Sequence, residues 1–290
     1  MRLDVYAHCT IDTISVGGSR YVQAGGPACY CGDAARQLKF DVTLHTKFGR
    51  DFPGTKHLGD LRILHPDSLS EEPTTRFRID VRGPQRDLYL ESRCEPVCHA
   101  ESTSDGAVVS PVFDEIAPEV FCSIKDDSEF VLLDPQGFLR RAGPDGRIRL
   151  EKTEIDLSRV TAIKANPEEM RHLVGHTGLE GMKMLQKRGV CHVLRTDGAD
   201  VSMLDGDRMY SLRLPNTRIY DTTGIGDIFA ATFACTMLKE RDSIWALCFA
   251  GGAAQAALES GDVGLQKVPP RGATSTNASY FYNTIDFRQA

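Results

Sequence analysis

Asp221-Thr222-Thr223-Gly224-Ile225-Gly226-Asp227 runs directly into Ile228-Phe229-Ala230-Ala231-Thr232-Phe233-Ala234. A polar turn with two glycines gives way to small and apolar helix formers, which predicts a buried helix from about Ile225. The glycines permit a tight turn and leave the N–H groups of Ile225, Gly226 and Asp227 uncovered. Together with the helix dipole, such amides form a pocket for an anion such as phosphate. Asp227 is out of place there electrostatically, because a carboxylate repels what the amides attract. One account is that it takes a proton from a hydroxyl attacking that phosphate, as phosphoryl transfer requires. The other is that Asp221 ends a strand and Asp227 merely favours the helix dipole.

Bulk properties narrow the classes. The 290 residues suffice for one large α/β domain with an insertion or for two small ones. Hydrophobic residues make up 41% and charged residues 26%, ordinary for a globular protein, and a net charge of -6 gives no footprint for nucleic acid. No apolar run approaches the roughly 18 residues of a membrane span, and Asp4 interrupts the first apolar segment, against a secretory leader. A cytoplasmic location is expected. Nine cysteines, an odd count, read as free thiols. Cys29 with Cys31, and Cys94 with Cys98 and His99, lack the paired spacing of a zinc site, and His172 and His176 read as surface residues.

Along the chain, strand-like and helix-like segments alternate. Leu3 to Ala7 reads as a buried strand leading to a loop that ends at Asp12. An acid just past such a strand either caps a turn or binds ligand hydroxyls. Thr13 to Ala24, broken by Gly17-Gly18, reads as an extended hairpin, and Gly25-Gly26-Pro27 opens a helix running to about Leu38. Pro53 to Leu61 is predicted helical and Arg62 to Leu64 a strand. Thr75 to Val81 and Asp87 to Glu91 alternate with period two around Gly83-Pro84, either a surface hairpin or part of a small sheet over a pocket. Ala107 to Val109 and Val131 to Asp134 are further core strands, followed by Gln136 and Arg140 at a strand end, with a loop expected from Gly143 to Arg149. Ile163 to Ala165 is a strand before Asn166-Pro167-Glu168-Glu169, strong helix-start chemistry. A strand from Gly189 to Arg195 precedes Thr196-Asp197-Gly198, and Asp205-Gly206-Asp207 joins two hairpin strands. Ser243 to Glu259 is a small-residue helix containing Gly251, and Gly261 to Gly264 follows it. The tail from Thr274 carries Tyr280, Phe281, Tyr282 and Phe287, expected to pack on the core or on a partner.

Asp-Thr-x-Gly-x-Gly-Asp before a small, apolar helix resembles the C-terminal signature of the ribokinase-like, or PfkB-type, carbohydrate kinases, with Ile225 where Ala is usual. The Gly25-Gly26 helix start, then Val42-Thr43-Leu44 and Phe48-Gly49-Arg50-Asp51, resembles the family's N-terminal signature. The resemblance covers nearly the whole chain. It implies a three-layer α/β fold with a mainly parallel central sheet, in a single domain over 1–290, with lid segments at about 13–24 and 75–92. It further implies transfer of the ATP γ-phosphate, with ADP as the other possible donor, to a hydroxyl of a sugar, a polyol such as inositol, or a nucleoside. Asp227 is then the base, and the amides of Gly224, Ile225 and Gly226 hold the developing charge. Asn166 and Glu169 organise Mg2+ through water, while Thr196, Gly198, Thr222, Gly251 and Gly264 line the nucleotide. Asp12, Gly25, Gly26, Tyr30, Gln136 and Arg140 hold the acceptor. Tyr30 stands where the family usually has Asn, which alters the acceptor pocket. The expected partner is a small alcohol, with no nucleic acid or membrane, in a monomer or a homodimer through the lid. A catalytically weak sensor that keeps the kinase fold is the alternative. A dinucleotide oxidoreductase is disfavoured, because no Gly-x-Gly-x-x-Gly turn follows the first strand.

Overall fold

The strand Arg2–Tyr6 is buried along almost its whole length, Leu3 and Val5 toward one side and Asp4 and Tyr6 toward the other. A strand covered on both faces belongs to the centre of a layered α/β sheet. In this computed structural model, which describes residues 1–60, 65–82, 85–215 and 221–290, it pairs in parallel with Asp41–His45 and Gly106–Val109. Parallel pairing continues through Val131–Leu133, Ala162–Ala165 and His192–Asp197. Asp200–Asp205, Arg208–Arg213 and Asp286–Gln289 then extend the sheet antiparallel, to nine strands among the described residues.

Helices cover both faces. One core joins the sheet to Pro27–Gln37, Ile225–Glu240 and Ser243–Glu259, through residues such as Tyr30, Ala231, Phe233 and Ala250. The other joins it to Pro118–Asp127, Pro167–Val174 and Gly178–Lys187, through Phe121, Ile124, Met170 and Met182. The fold is thus the three-layer α/β arrangement with a mostly parallel sheet. Small residues let the two long helices on the first face lie close. At Gly252 a side chain would come within 2.6 Å of the Thr274 carbonyl oxygen, so Arg271–Thr284 seats directly on it.

A second sheet of four strands stands over the C-terminal edge of the first. Its order is Ser19–Gly25, Thr10–Val16, Thr75–Arg82, Gln85–Ser92. The loop expected to end at Asp12 is instead strand from Thr10 onward, with Asp12 opposite Gln23 and Phe77. Gly143 to Arg149, expected as a loop, contributes to a second hairpin. Arg140–Ala142 pairs with Ile148–Leu150, and the hairpin touches the lid at Tyr89 and Arg147. Local alternation there is only three residues per strand, too short to register as a period. The tail forms a helix and an edge strand. Only Phe281 of its four aromatics is buried, and Phe287 is 73% exposed. The strand expected at Arg62 to Leu64, and the Gly83-Pro84 turn, lie outside the described residues; the helix expected there begins at Thr55 and runs through Asp60.

Candidate active site

The lid, the hairpin and the sheet edge enclose a cavity of about 500 Å³, lined from all three. Its floor is the start of the helix Ile225–Glu240. Gly224 caps that helix at φ 78°, a conformation open to glycine, and its face carries the ring of Tyr30, 2.5 Å from where a side chain would stand. Ile225 donates its N–H to the Thr222 carbonyl at 3.3 Å. The amides of Gly224, Gly226 and Asp227 have no acceptor among the described residues. The uncovered amides are therefore these three, and Ile225 is spent on the turn, its side chain packed against the core.

Asp227 lines this cavity and is 9% exposed. Ser110 Oγ donates to its Oδ1 at 3.4 Å. Burial pushes its carboxyl up to about 7, Lys164 opposing and Asp134 reinforcing that shift. Asp12 lies across the cavity, its Oδ1 accepting from Thr10 Oγ1 at 3.0 Å, and burial pushes it up to about 6. Gly25 does not line the cavity. A side chain on it would meet Asp12 Oδ2 at 3.0 Å, so its bareness makes room for that carboxylate. Gly26 does line it, at φ 89°, with the His8 carbonyl 2.5 Å from any added Cβ.

Tyr30 is fully buried, and its hydroxyl has no hydrogen-bond partner among the described residues. Gln136 and Arg140 also line the cavity, bonded to each other at 2.6 Å, and Arg140 further donates to the Val112 carbonyl.

Asn166, Glu168 and Glu169 form the next stretch of wall. Asn166 Oδ1 accepts from the amides of Glu168 and Glu169, both at 2.9 Å, and Glu169 Oε2 accepts from the Asn166 amide at 2.8 Å. This reciprocal capping box uses up the Asn166 oxygen, so Asn166 positions and Glu169 presents. Burial, with Asp134 nearby, raises the Glu169 pKa. Among the described residues no three His, Cys, Asp or Glu converge as metal ligands. One carboxylate facing a phosphate pocket fits a hydrated magnesium ion held mainly by water and phosphate. All nine cysteines are free.

Sequence reasoning missed Lys164. Its ammonium lies 2.8 Å from where a Gly226 side chain would stand and pairs with Asp134 at 2.5 Å. Burial works against its charge, but Asp134, Glu169 and Asp227 more than offset that and raise its pKa above the ordinary value. In sequence it is one lysine inside a short apolar strand, two residues before Asn166. Arg86, Arg147 and Arg149 on the lid and hairpin were missed too.

Four expected nucleotide residues lie elsewhere than the cavity wall, while Thr222 is on it. Thr196 and Gly198 sit at the turn after His192–Asp197. Gly251 is covered by Leu212 and Phe281. Gly264 gives its amide to Asp221 Oδ2, which also takes a 2.6 Å bond from the fully buried Lys267. Asp221 thereby fastens the turn from both sides, its Oδ1 holding the Thr223 amide.

Residues 139–269 match the family described as pfkB family carbohydrate kinase. No curated protein sequence matches the chain. Among solved structures, a pyrophosphate-dependent kinase in the ribokinase family, complexed with a pyrophosphate analog and myo-inositol, superposes with a TM-score of 0.79 at 18% identity. That match covers 94% of this chain and 99% of the other. Ribokinase of Arabidopsis thaliana, complexed with ribose and ATP, gives 0.76 at 18% identity, covering 95% and 98%. The nucleoside kinase of Methanocaldococcus jannaschii gives 0.75 at 15%, covering 96% and 98%. The chain thus has the ribokinase-like fold over nearly its whole length, and its residues 139–269 are similar to the pfkB family carbohydrate kinases.

Proposed function

We propose that this protein transfers the γ-phosphate of ATP to a hydroxyl of a small sugar, polyol or nucleoside. The observation that carries the reading is that Asp227, Asp12 and the free amides at Gly224, Gly226 and Asp227 meet in one cavity. Asp12 orients the acceptor, and its neighbouring hydroxyl faces Asp227. As the acceptor oxygen bonds to phosphorus and the bond to the leaving oxygen breaks, the proton passes to Asp227. The three amides, Lys164 and Arg140 take up charge on the transferring group. Magnesium, when bound through water at Glu169, supplies further charge neutralisation on the donor phosphates. The lid excludes water as a competing acceptor.

Pyrophosphate is the second donor to consider, on a specific observation. The cavity wall includes phosphate-binding groups but not Thr196, Gly198, Gly251 or Gly264. A structural neighbour is itself described as pyrophosphate-dependent. A coupled assay of ATP, ADP and pyrophosphate against sugars, inositols and nucleosides identifies donor and acceptor. In the productive pair, Asp227→Asn should cut turnover by about 10²–10⁴-fold with donor affinity nearly unchanged. Unchanged turnover removes Asp227 from the mechanism.

A further inference from the structure

The cavity carries two separate sets of cations. Lys164 belongs to the floor, its ammonium 2.8 Å from where a Gly226 side chain would stand, whereas Arg140 opens the hairpin and is bonded to Gln136 and the Val112 carbonyl. Arg86, Arg147 and Arg149 belong to the roof, the first from the lid strand Gln85–Ser92 and the other two from the hairpin. A neutral polyol gives no reason for the second set.

The roof is a built element. The Leu90 amide donates to the Gly146 carbonyl at 2.8 Å, and a side chain on Gly146 would stand 2.7 Å from the Leu90 carbonyl. Arg147 reaches Asp87 at 2.5 Å, which ties hairpin to lid. Ile148 packs with Leu88 and Leu90 against the lid core of Ile14, Phe77, Ile79, Val112 and Phe113. Arg86 and Arg149 are left with no carboxylate partner and no side-chain hydrogen bond among the described residues. The Arg86 charge is felt at Asp12, where it opposes the rise in pKa, and also at Arg140 and Lys267. Both are exposed and line the cavity, and a guanidinium fork without an anion of its own matches the geometry of phosphate or carboxylate.

We propose that the acceptor itself carries an anionic group, a phosphate monoester or a carboxylate, held by Arg86 and Arg149 with Arg147 bracing the hairpin. The substrate class narrows from neutral alcohols to phosphorylated or acidic sugars and polyols. Asp12 holds the hydroxyl end near Asp227, and the roof holds the charged end. This rests on the kinase reading for the word acceptor, but the second anion site is a separate claim.

Inorganic phosphate, titrated into the intact protein at low ionic strength and followed by calorimetry, tests that claim without turnover. Two phosphates should bind per chain. The pair Arg86→Met with Arg149→Met should abolish one and keep the other, and Lys164→Met should do the reverse. A single phosphate per chain, or a second that survives loss of both roof arginines, overturns the assignment. In the acceptor panel, ribose 5-phosphate and ribonate should exceed ribose in kcat/KM, or in affinity where turnover is absent. That preference should fall at least tenfold in the Arg86/Arg149 pair. The source of the charge is read from which of the two anionic ligands is favoured. A neutral acceptor served equally well by wild type and pair, with Asp227-dependent turnover intact, sinks the anionic acceptor and leaves the kinase standing.

Discussion

A carboxyl pushed up to about 7 is half ionised near neutrality, where a base both accepts protons readily and is free to accept them. For Asp227 the cause is burial, so the same feature that tunes the base also burdens the fold. The native state holds a proton that the unfolded chain gives up near 4. Native stability therefore declines as pH rises from about 4 to about 7, and stays lower above. Activity runs the other way, with kcat/KM rising through a pKa near 7. Asp227→Asn removes both effects. Its free energy of unfolding, from chemical denaturation, should match wild type near pH 4 and exceed it by on the order of 2 kcal/mol at pH 8. A variant no more stable than wild type at pH 8 would mean the carboxylate is adequately solvated or paired. Of these residues, Asp227 was legible because an acid at an anion-binding helix start contradicts local electrostatics. Lys164 was not, because one charge in a short apolar strand gives no pattern until Asp134 and Gly226 are seen around it.

At the scale of elements, the capping box does two jobs with one set of bonds. It ends the strand Ala162–Ala165 in a helix start, and it fixes the carboxylate of Glu169 against the cavity wall. Asn166→Ala removes the acceptor for two amides and should cost about 1 kcal/mol. It also frees Glu169, so the magnesium concentration for half-maximal turnover should rise several-fold, while Asn166→Asp should restore both. Stability lost without any change in magnesium dependence would confine Asn166 to the cap. Elements like this one, with chemistry written in four consecutive residues, were readable in sequence. So were the core strands and the two small-residue helices. The hairpin from Arg140 to Leu150 was not, because its pairing is set by contacts with Leu90 and Tyr89 some sixty residues away. The start of the lid at Thr10 was missed for the same reason: Thr10 to Val16 becomes strand by pairing with Thr75–Arg82.

On the scale of the whole molecule, the site lies between a large core and a small one. The sheet and its helices bury two extensive clusters, whereas among the described residues the lid cluster has only Ile14, Phe77, Ile79, Val112 and Phe113 with their partly buried neighbours. Opening should therefore begin at the lid, where least apolar surface is lost. Phe77 joins the two bodies: it is 3% exposed in the lid core, lines the cavity, and has the Arg140 guanidinium 5.9 Å from its ring centre. Truncating a buried Phe costs about 3–5 kcal/mol in a core that cannot collapse. That exceeds what so small a cluster can absorb, but leaves the large cores untouched. Phe77→Ala should then open the cavity without unfolding the chain. Water would reach the donor phosphate, and Arg140 would lose the surface that orients it. Expected are a global unfolding midpoint close to wild type, kcat/KM for the acceptor down at least tenfold, and more donor phosphate released as inorganic phosphate per acceptor phosphorylated. Measuring released phosphate and phosphorylated acceptor in one reaction gives that ratio directly. If it stays at the wild-type value while kcat/KM falls, the lid positions the acceptor but does not guard the phosphate from water.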